Sequence, residues 1–145
     1  MFFRRRDEKV DVLRKVPLFS GLSRRYLDLI ARHADEVKVN AGKVLARQGE
    51  RGLEFLLILD GSTRVERDGK TIARLAAGDF FGEMALIDGK PRSATVIAET
   101  PIVLLVIHTR AFGHLLEAIP GLRKKVLLTL CERLRAADAA LASLN

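Results

Sequence analysis

The sequence predicts a mainly β fold with flanking helices (α+β), in which an antiparallel β-roll or jelly roll follows N-terminal helices and precedes a long C-terminal helix. Between residues 36 and 107, short segments rich in aliphatic and β-branched residues alternate with turn residues, chiefly Gly, Asp and Asn. Outside this region, hydrophobic residues recur with a helical period. Evenly spaced short strands are typical of two packed antiparallel sheets, so we expect a roll over residues 36–107.

The N-terminal segment is predicted to be helical. A helical pattern begins at Asp11 and is broken by a turn at residues 17–21. Ser23 is a favourable N-cap residue for a second helix, which carries Tyr26 and several aliphatic residues on one face. We therefore expect two helical elements before the first strand.

The central region is predicted to supply the strands of the roll. Candidate strands lie at residues 37–39, 43–46, 55–59, 63–67, 71–75, 93–98 and 102–107. Among the turns between them, Asp68-Gly69 is the strongest hairpin signal, because this dipeptide readily adopts the positive φ angles of a two-residue loop.

After residue 108 the helical period returns, with a short helix at 109–118, a break at Pro120-Gly121 and a long helix from about Leu122, so that helices occupy residues 109–144. Hydrophobic residues on the long helix are spaced three and four apart, as in a coiled-coil seam. They are Leu127, Leu130, Leu134, Ala137, Leu141 and Leu144. This stripe either covers the chain's own roll or pairs with the same stripe of a second chain, and we favour a homodimer, with Leu122 and Val126 packed on the roll.

Length and composition are those of one globular domain. The chain has 145 residues, of which 48% are hydrophobic and 30% charged, which is enough for one core and short for two. No apolar run approaches the roughly 20 residues that span a bilayer, so a cytoplasmic location is expected. The single Cys131 excludes an intramolecular disulfide.

Basic residues are concentrated near the N-terminus, and the net charge of +7 favours an acidic partner. These residues are Arg4, Arg5, Arg6, Arg14, Lys15, Arg24 and Arg25. We expect residues 1–16 to form a basic arm or helix that docks on a membrane surface, an acidic protein face or an effector domain. Residues 17–145 are expected to form a single domain.

The stretch Phe81–Val96 combines residues that suit a cyclic phosphodiester. Gly82 allows close approach of the backbone to a ligand, and Arg92 presents paired donors that match two phosphate oxygens. Glu83, when ionised, accepts hydrogen bonds only, and a ribose 2′-hydroxyl is a suitable donor. The alternative is that Glu83 and Arg92 form an ordinary ion pair at the surface.

This stretch resembles the phosphate-binding cassette of the cyclic nucleotide-binding domain family. The matching positions are Phe81, Gly82, Glu83, Met84, Ala85, Leu86, Pro91, Arg92, Ser93, Ala94 and Thr95. The resemblance extends from about Pro17 to about Ala137, and it implies a domain that senses a cyclic nucleotide and reorients the helices after residue 108. A degenerate roll that serves only for dimerisation or docking is the alternative.

The resemblance also implies roles for individual residues. Glu83 would hold the ribose hydroxyl, Arg92 would bind the cyclic phosphate, and backbone N–H groups in the cassette would complete the anion site. Arg133 aligns by position with a ligand contact of catabolite activator members, although a solvated charge or an ion pair with Glu132 of a neighbouring chain is an equal alternative. The candidate ligand-binding residues are Phe81, Gly82, Glu83, Met84, Ala85, Arg92, Ser93 and Arg133.

The identity of the base is open at this point. A hydroxyl residue at the position of Ser93 favours cyclic GMP in some eukaryotic members, whereas bacterial members with serine bind cyclic AMP, which we take as the expected ligand. The chain also departs from the family in one loop, where it has Gly52-Leu53-Glu54 in place of glycine followed by aspartate. This difference puts the geometry of that loop in question.

Nothing in the sequence predicts an enzyme, a metal site or a cofactor. His33, His108 and His114 are scattered, unlike the tight His-X-His cluster of the cupins, the main all-β rival class. No serine or cysteine has a recognisable catalytic partner. Family members that regulate transcription carry a helix-turn-helix domain after the long helix, and because the sequence stops at Asn145 we expect no DNA-binding domain.

Overall fold

The structure, a computed structural model, describes residues 6–83 and 88–143. Helix α1 (Arg6–Arg14), a 3-10 turn (Pro17–Phe19) and helix α2 (Arg24–His33) precede the strands, and helices α3 (Thr109–Ala118) and α4 (Leu122–Ser143) follow them. The strands are β1 (Ala34–Val39), β2 (Val44–Ala46), β3 (Glu54–Asp60), β4 (Ser62–Arg67), β5 (Lys70–Ala76), β6 (Phe80–Phe81), β7 (Thr95–Ala98) and β8 (Ile102–His108).

The strands form two antiparallel four-stranded sheets, with strand orders β1-β8-β3-β6 and β2-β7-β4-β5. The predicted β-roll with flanking helices is therefore confirmed. The Asp68-Gly69 hairpin forms as expected, because both residues have positive φ, 52° and 79°, and Arg67 pairs with Lys70 across the turn. β6 was not predicted, since two residues are too few to show an alternating pattern.

Strand β3 contributes side chains to the packing between the two sheets and to the packing of the helices on the roll. Its apolar run is buried on both faces, as expected for a strand with protein on each side. Phe55 and Leu57 point into a core shared with the helices, whereas Leu56 and Ile58 point into a second core between the sheets. The roll therefore has a helix-side core and an inter-sheet core, which meet at β3.

The N-terminal helices pack into the helix-side core. Val10 and Leu13 of α1 are fully buried there, and Lys9 Nζ donates to the carbonyl of Ala34 at 2.7 Å, just beyond the end of α2. Ser23 lies at the N-cap position of α2, but its side chain makes no capping hydrogen bond, contrary to the sequence-based expectation. Helix α1 is thus joined to the rest of the domain by both packing and a hydrogen bond.

Helix α4 packs on the domain from Leu122 as far as Arg133. Leu122 and Val126 are buried in the helix-side core, as predicted, and Leu130 packs against it. Leu127 and Leu134 are 51% and 63% exposed, so this part of the predicted seam does not cover the roll. The side chains of Leu141 and Leu144 lie outside the described residues. Among the described residues, no helix is both long and apolar enough to cross a membrane.

Candidate ligand-binding site

A cavity of about 490 Å³ lies between the second sheet and the described segments 81–83 and 88–96. One wall is apolar and consists mainly of side chains of β4 and β5, namely Val65, Ile72 and Leu75. The lining also contains several charged side chains, including Glu83, Arg92, Arg133 and Arg67. An apolar wall facing a few convergent charges is typical of a site for a small polar ligand with a flat hydrophobic part.

Strand β6 fixes the start of the site. Its two residues pair with Leu57 and Leu56 of β3, which places Phe80 in the helix-side core and Phe81 in the inter-sheet core. Gly82 follows with φ of +94°, and a Cβ atom there would lie 2.3 Å from the carbonyl oxygen of Glu54. Only glycine fits this position, so the backbone turns sharply and directs Glu83 into the cavity.

Glu83 is the buried acceptor of the site. It is only 7% exposed, and burial raises the pKa of its carboxyl, an effect opposed by its own backbone hydrogen bond and by Arg133 and Arg92. Its Oε1 atom accepts a hydrogen bond from Arg133 Nη1 at 3.4 Å. Its Oε2 atom is buried and has no hydrogen-bond partner among the described residues. Buried polar atoms are nearly always bonded, so this oxygen is available for a ligand donor.

Arg92 lies in a slot between two glycines. A Cβ atom at Gly52 would be 2.4 Å from Arg92 Cζ, and one at Gly82 would be 3.2 Å from Arg92 Nη1. The guanidinium donates from Nη2 to the carbonyl oxygen of Glu54 at 3.3 Å. Burial lowers its pKa, while the charges of Glu54 and Glu83 act in the opposite direction. The arginine remains charged because its ordinary pKa lies far above neutrality.

The loop that the sequence analysis left in question therefore contributes to the site. Gly52 makes room for the Arg92 guanidinium, and the Glu54 backbone holds it. The two loops are also joined by backbone bonds of 2.9 Å from Arg92 to Glu50 and from Gly49 to Arg92. Glu83 and Arg92, both among the described residues, form no direct ion pair, so the surface ion-pair alternative is wrong.

Arg133 reaches the site from helix α4. Besides its contact with Glu83, it donates from Nη2 to the carbonyl oxygen of Phe80, and its guanidinium lies 4.5 Å from the centre of the Phe80 ring. A cation over an aromatic face is attracted by the electrons of the ring. Within this chain the guanidinium of Arg133 thus contacts Glu83 and Phe80, and it links α4 to the start of the cassette.

Four further hydrogen bonds hold the end of the cassette, the β4–β5 hairpin and the loop at Gln48 together. Arg67 Nε donates to the carbonyl oxygen of Ser93 at 3.0 Å. Gln48 bonds to Asp68 in both directions, at 2.9 and 3.0 Å, and its backbone N–H donates to Thr95 Oγ1 at 2.9 Å. The hairpin tip, the cassette and the loop at Gln48 therefore form one hydrogen-bonded unit.

The structure brings together most of the predicted site residues. Phe81, Gly82, Glu83, Arg92, Ser93 and Arg133 all line the cavity. Met84 and Ala85, together with Leu86, lie outside the described residues. The sequence analysis did not predict Gly52 or Arg67 as site residues. The inward register of alternate β4 residues was the signal that could have identified Arg67.

The described residues contain no group of three or more His, Cys, Asp or Glu side chains that could hold a metal ion. Cys131 is a free and exposed thiol on α4. The charged groups that converge in the cavity are thus suited to an organic ligand with an anionic group and a hydroxyl.

Known proteins that are similar to this chain contain cyclic nucleotide-binding domains or are regulated by cyclic nucleotides according to their names. A model of the cyclic nucleotide-binding domain family matches residues 36–118, which is more than half of the chain. A cyclic nucleotide-gated potassium channel of Mesorhizobium japonicum is 40% identical over 125 residues, covering 86% of this chain and 35% of the channel. A cAMP-dependent protein kinase regulatory subunit of Schizosaccharomyces pombe is 37% identical over 115 residues, covering 79% of this chain and 28% of the subunit.

Among solved structures, the catabolite activator protein of Thermus thermophilus superposes with a TM-score of 0.77 at 32% identity. The superposition covers 88% of this chain and 62% of that protein. The chain spans between about a sixth and a third of the length of the curated relatives that it matches.

Proposed function

The chain belongs to the cyclic nucleotide-binding domain family, and on this premise we propose that it binds a 3′,5′-cyclic nucleotide, cyclic AMP in the first instance, in the cavity beside Glu83 and Arg92. Its curated relatives include gated channels and kinase regulatory subunits, in which domains of this family are regulatory. We propose a regulatory role here too, with an effector protein or domain as partner and no other cofactor.

The observation that carries this proposal is the buried Oε2 atom of Glu83, which has no hydrogen-bond partner among residues 6–83 and 88–143. A buried carboxylate oxygen without a partner is costly, by about 1–3 kcal/mol, and a ligand hydroxyl would remove that cost. In a 3′,5′-cyclic nucleotide the only free ribose hydroxyl is the 2′ group. Arg92 lines the same cavity and offers the paired donors that a cyclic phosphate requires.

Arg133 supports a route from ligand binding to movement of helix α4. It bonds to Glu83 Oε1, the other oxygen of the carboxylate that we propose for the ribose. A ligand on Oε2 changes the charge distribution around this carboxylate and therefore the strength of its bond to Arg133. We propose that this change alters the position of α4, in which residues 134–139, directly after Arg133, are exposed.

The exposed residues Leu127 and Leu134 support the proposal that α4 pairs with a second copy of the chain. They lie seven residues apart and occupy equivalent positions of successive heptads. In such a homodimer, the position of α4 relative to the roll would be coupled to the arrangement of the two domains.

Isothermal titration with cyclic AMP, cyclic GMP and ATP tests the function directly. We expect the cyclic nucleotides to bind and the triphosphate not to bind. Arg92→Ala should weaken binding more than Glu83→Ala, because loss of a charged partner in a partly buried site costs about 2–5 kcal/mol, whereas the carboxylate serves a single hydroxyl. Absence of binding by the folded wild-type protein would favour the alternative, a degenerate roll used only for docking or dimerisation.

A further inference from the structure

We propose that Arg67 determines base specificity, by donating hydrogen bonds to the O6 and N7 acceptors of a guanine, so that the site accepts cyclic GMP alongside cyclic AMP. This inference rests on the proposed function of the cavity. It is carried by the position of one arginine on the inner face of the roll.

The direction of Arg67 follows from the alternation of strand β4. Thr63 is fully buried and Val65 packs in the inter-sheet core, so odd-numbered residues face inward. Arg64 and Glu66 face outward and form an ion pair with each other at 3.6 Å. Arg67 continues the inward series and lines the cavity. Its side chain is exposed there, at the end of β4 beside the Asp68-Gly69 turn.

The guanidinium of Arg67 is anchored at one end. Its Nε atom donates to the carbonyl oxygen of Ser93, which directly follows Arg92 in the chain. The structure records no bond from its Nη1 or Nη2 atoms to any described residue. Because the hairpin tip is fixed by the bonds between Gln48 and Asp68, the backbone at Arg67 is also held in place. Four N–H donors therefore remain available at the open end of the cavity.

The positions of the other groups place the base next to Arg67. With the ribose at Glu83 and the phosphate at Arg92, the apolar surface left for a purine is the wall of Val65, Ile72 and Leu75. Arg67 is the next inward residue after Val65, about 7 Å further along the strand. A purine that packs on Val65 therefore has its edge within reach of the Arg67 guanidinium.

The chemistry of the two purines differs at this edge. Guanine presents two adjacent acceptors, O6 and N7, which match the paired donors of an arginine. Adenine presents N7 and an amino group, and that amino group is a donor that faces another donor. Arg67 would thus add affinity for cyclic GMP and contribute little to the binding of cyclic AMP.

Titrations with three nucleotides test the assignment. Wild-type protein, Arg67→Leu and the matched control Arg64→Leu are each titrated with cyclic AMP, cyclic GMP and cyclic IMP. Cyclic IMP has O6 and N7 but lacks the 2-amino group of guanine. We expect Arg67→Leu to lose about 5- to 140-fold in affinity for cyclic GMP and cyclic IMP, corresponding to 1–3 kcal/mol, and less than about twofold for cyclic AMP. Arg64→Leu should leave all three affinities unchanged.

Other outcomes overturn the assignment in distinct ways. An equal loss for all three nucleotides would mean that Arg67 acts through its bond to Ser93 or through the cyclic phosphate, and not through the base. A loss for cyclic GMP alone would indicate the 2-amino group as the feature recognised, and no loss would remove Arg67 from the site. A folded wild-type protein that binds none of the three contradicts the proposed function itself. Arg67→Lys serves as a second variant if Arg67→Leu fails to fold, since it keeps the charge but loses the paired donors, and it should also lose cyclic GMP selectively.

Discussion

Replacing Glu83 with glutamine should make the ligand-free protein more stable and the ligand complex weaker. The side chain is buried, its pKa is raised mainly by that burial, and one of its oxygens has no hydrogen-bond partner in the part of the chain that the structure describes. Burial is the largest influence on this pKa, ahead of the opposing backbone hydrogen bond of Glu83 and the charges of Arg133 and Arg92. Glutamine keeps the shape of the side chain and removes its charge. The substitution should therefore remove the cost of burying the charge, which is larger than the attraction that is lost.

The size of the effect follows from the contacts that are lost. Arg133 loses its charged partner but keeps the Phe80 carbonyl and the Phe80 ring, and because it is partly exposed this loss is about 0–1 kcal/mol. Relief of the buried charge is worth about 1–3 kcal/mol. A net gain of about 1 kcal/mol raises the melting temperature of a domain of this size by about 4 °C.

The pH dependence provides a second measurement of the same effect. A carboxyl whose pKa is raised on folding destabilises the folded state when it is ionised. The cost from Glu83 should therefore be present at neutral pH and should disappear as the pH falls through the raised pKa towards the usual glutamate value. Wild type and Glu83→Gln should approach equal stability over that range, with the difference largest at neutral pH.

Thermal unfolding with and without cyclic AMP measures the stability of each protein, and titration calorimetry measures its affinity for cyclic AMP. Affinity of Glu83→Gln for cyclic AMP should fall about 10- to 150-fold, as expected for loss of a hydrogen bond to a charged group. Glu117→Gln, on the exposed surface of α3, is the matched control and should change neither quantity. A ligand-free Glu83→Gln protein that melts below wild type would refute the argument that burial of this charge is costly. Unchanged affinity would exclude Glu83 as the ribose contact.

Three further outcomes are expected. Gly52→Val should lower the affinity for cyclic AMP at least tenfold by calorimetry, because the valine Cβ displaces the Arg92 guanidinium. It should cost little stability, because Gly52 does not have the left-handed φ that would strain valine. Unaltered affinity would mean that ligand binding does not require Arg92 to lie in this slot. Cyclic AMP at about a hundredfold excess over its dissociation constant should stabilise the fold by about 2.7 kcal/mol and 5′-AMP should not, whereas similar melting shifts would show that the pocket does not recognise the cyclic phosphate. Leu127→Glu combined with Leu134→Glu should give a folded monomer by light scattering and circular dichroism, and a wild type that is already monomeric at high concentration would contradict the dimer.

Sequence patterns predicted those parts of the fold that depend on local chemistry. The strands followed from alternating hydrophobicity and turn residues, and the Asp68-Gly69 hairpin from the positive φ that its residues tolerate. Helix α1 begins earlier than expected, at Arg6, because its many charged residues conceal the two buried positions Val10 and Leu13. Burial depends on what lies opposite a residue, which a local pattern does not contain.

In the site, too, residues that are close in sequence were predicted, and contacts between distant residues were not. Glu83 and Arg92 were identified because the cassette is continuous in sequence, and the structure brings both to the cavity. Gly52 lies 40 residues before Arg92, and its importance appears only where the guanidinium packs against it. Arg133 was suggested by positional resemblance alone, and its contact with Glu83 spans 50 residues of chain. Contacts of this kind arise from tertiary packing.

A row of aromatic rings extends from the candidate site into helix α3. The guanidinium of Arg133 lies on Phe80, the Phe80 and Phe55 ring centres are 5.3 Å apart, and Phe55 stacks on Phe112 at 3.8 Å. Each ring both fills the helix-side core and positions its neighbour. During evolution these positions should therefore change in concert, since a smaller ring at Phe112 leaves Phe55 and then Phe80 free to shift. Selection that acts on ligand affinity would in this way constrain a residue of α3 that never touches the ligand.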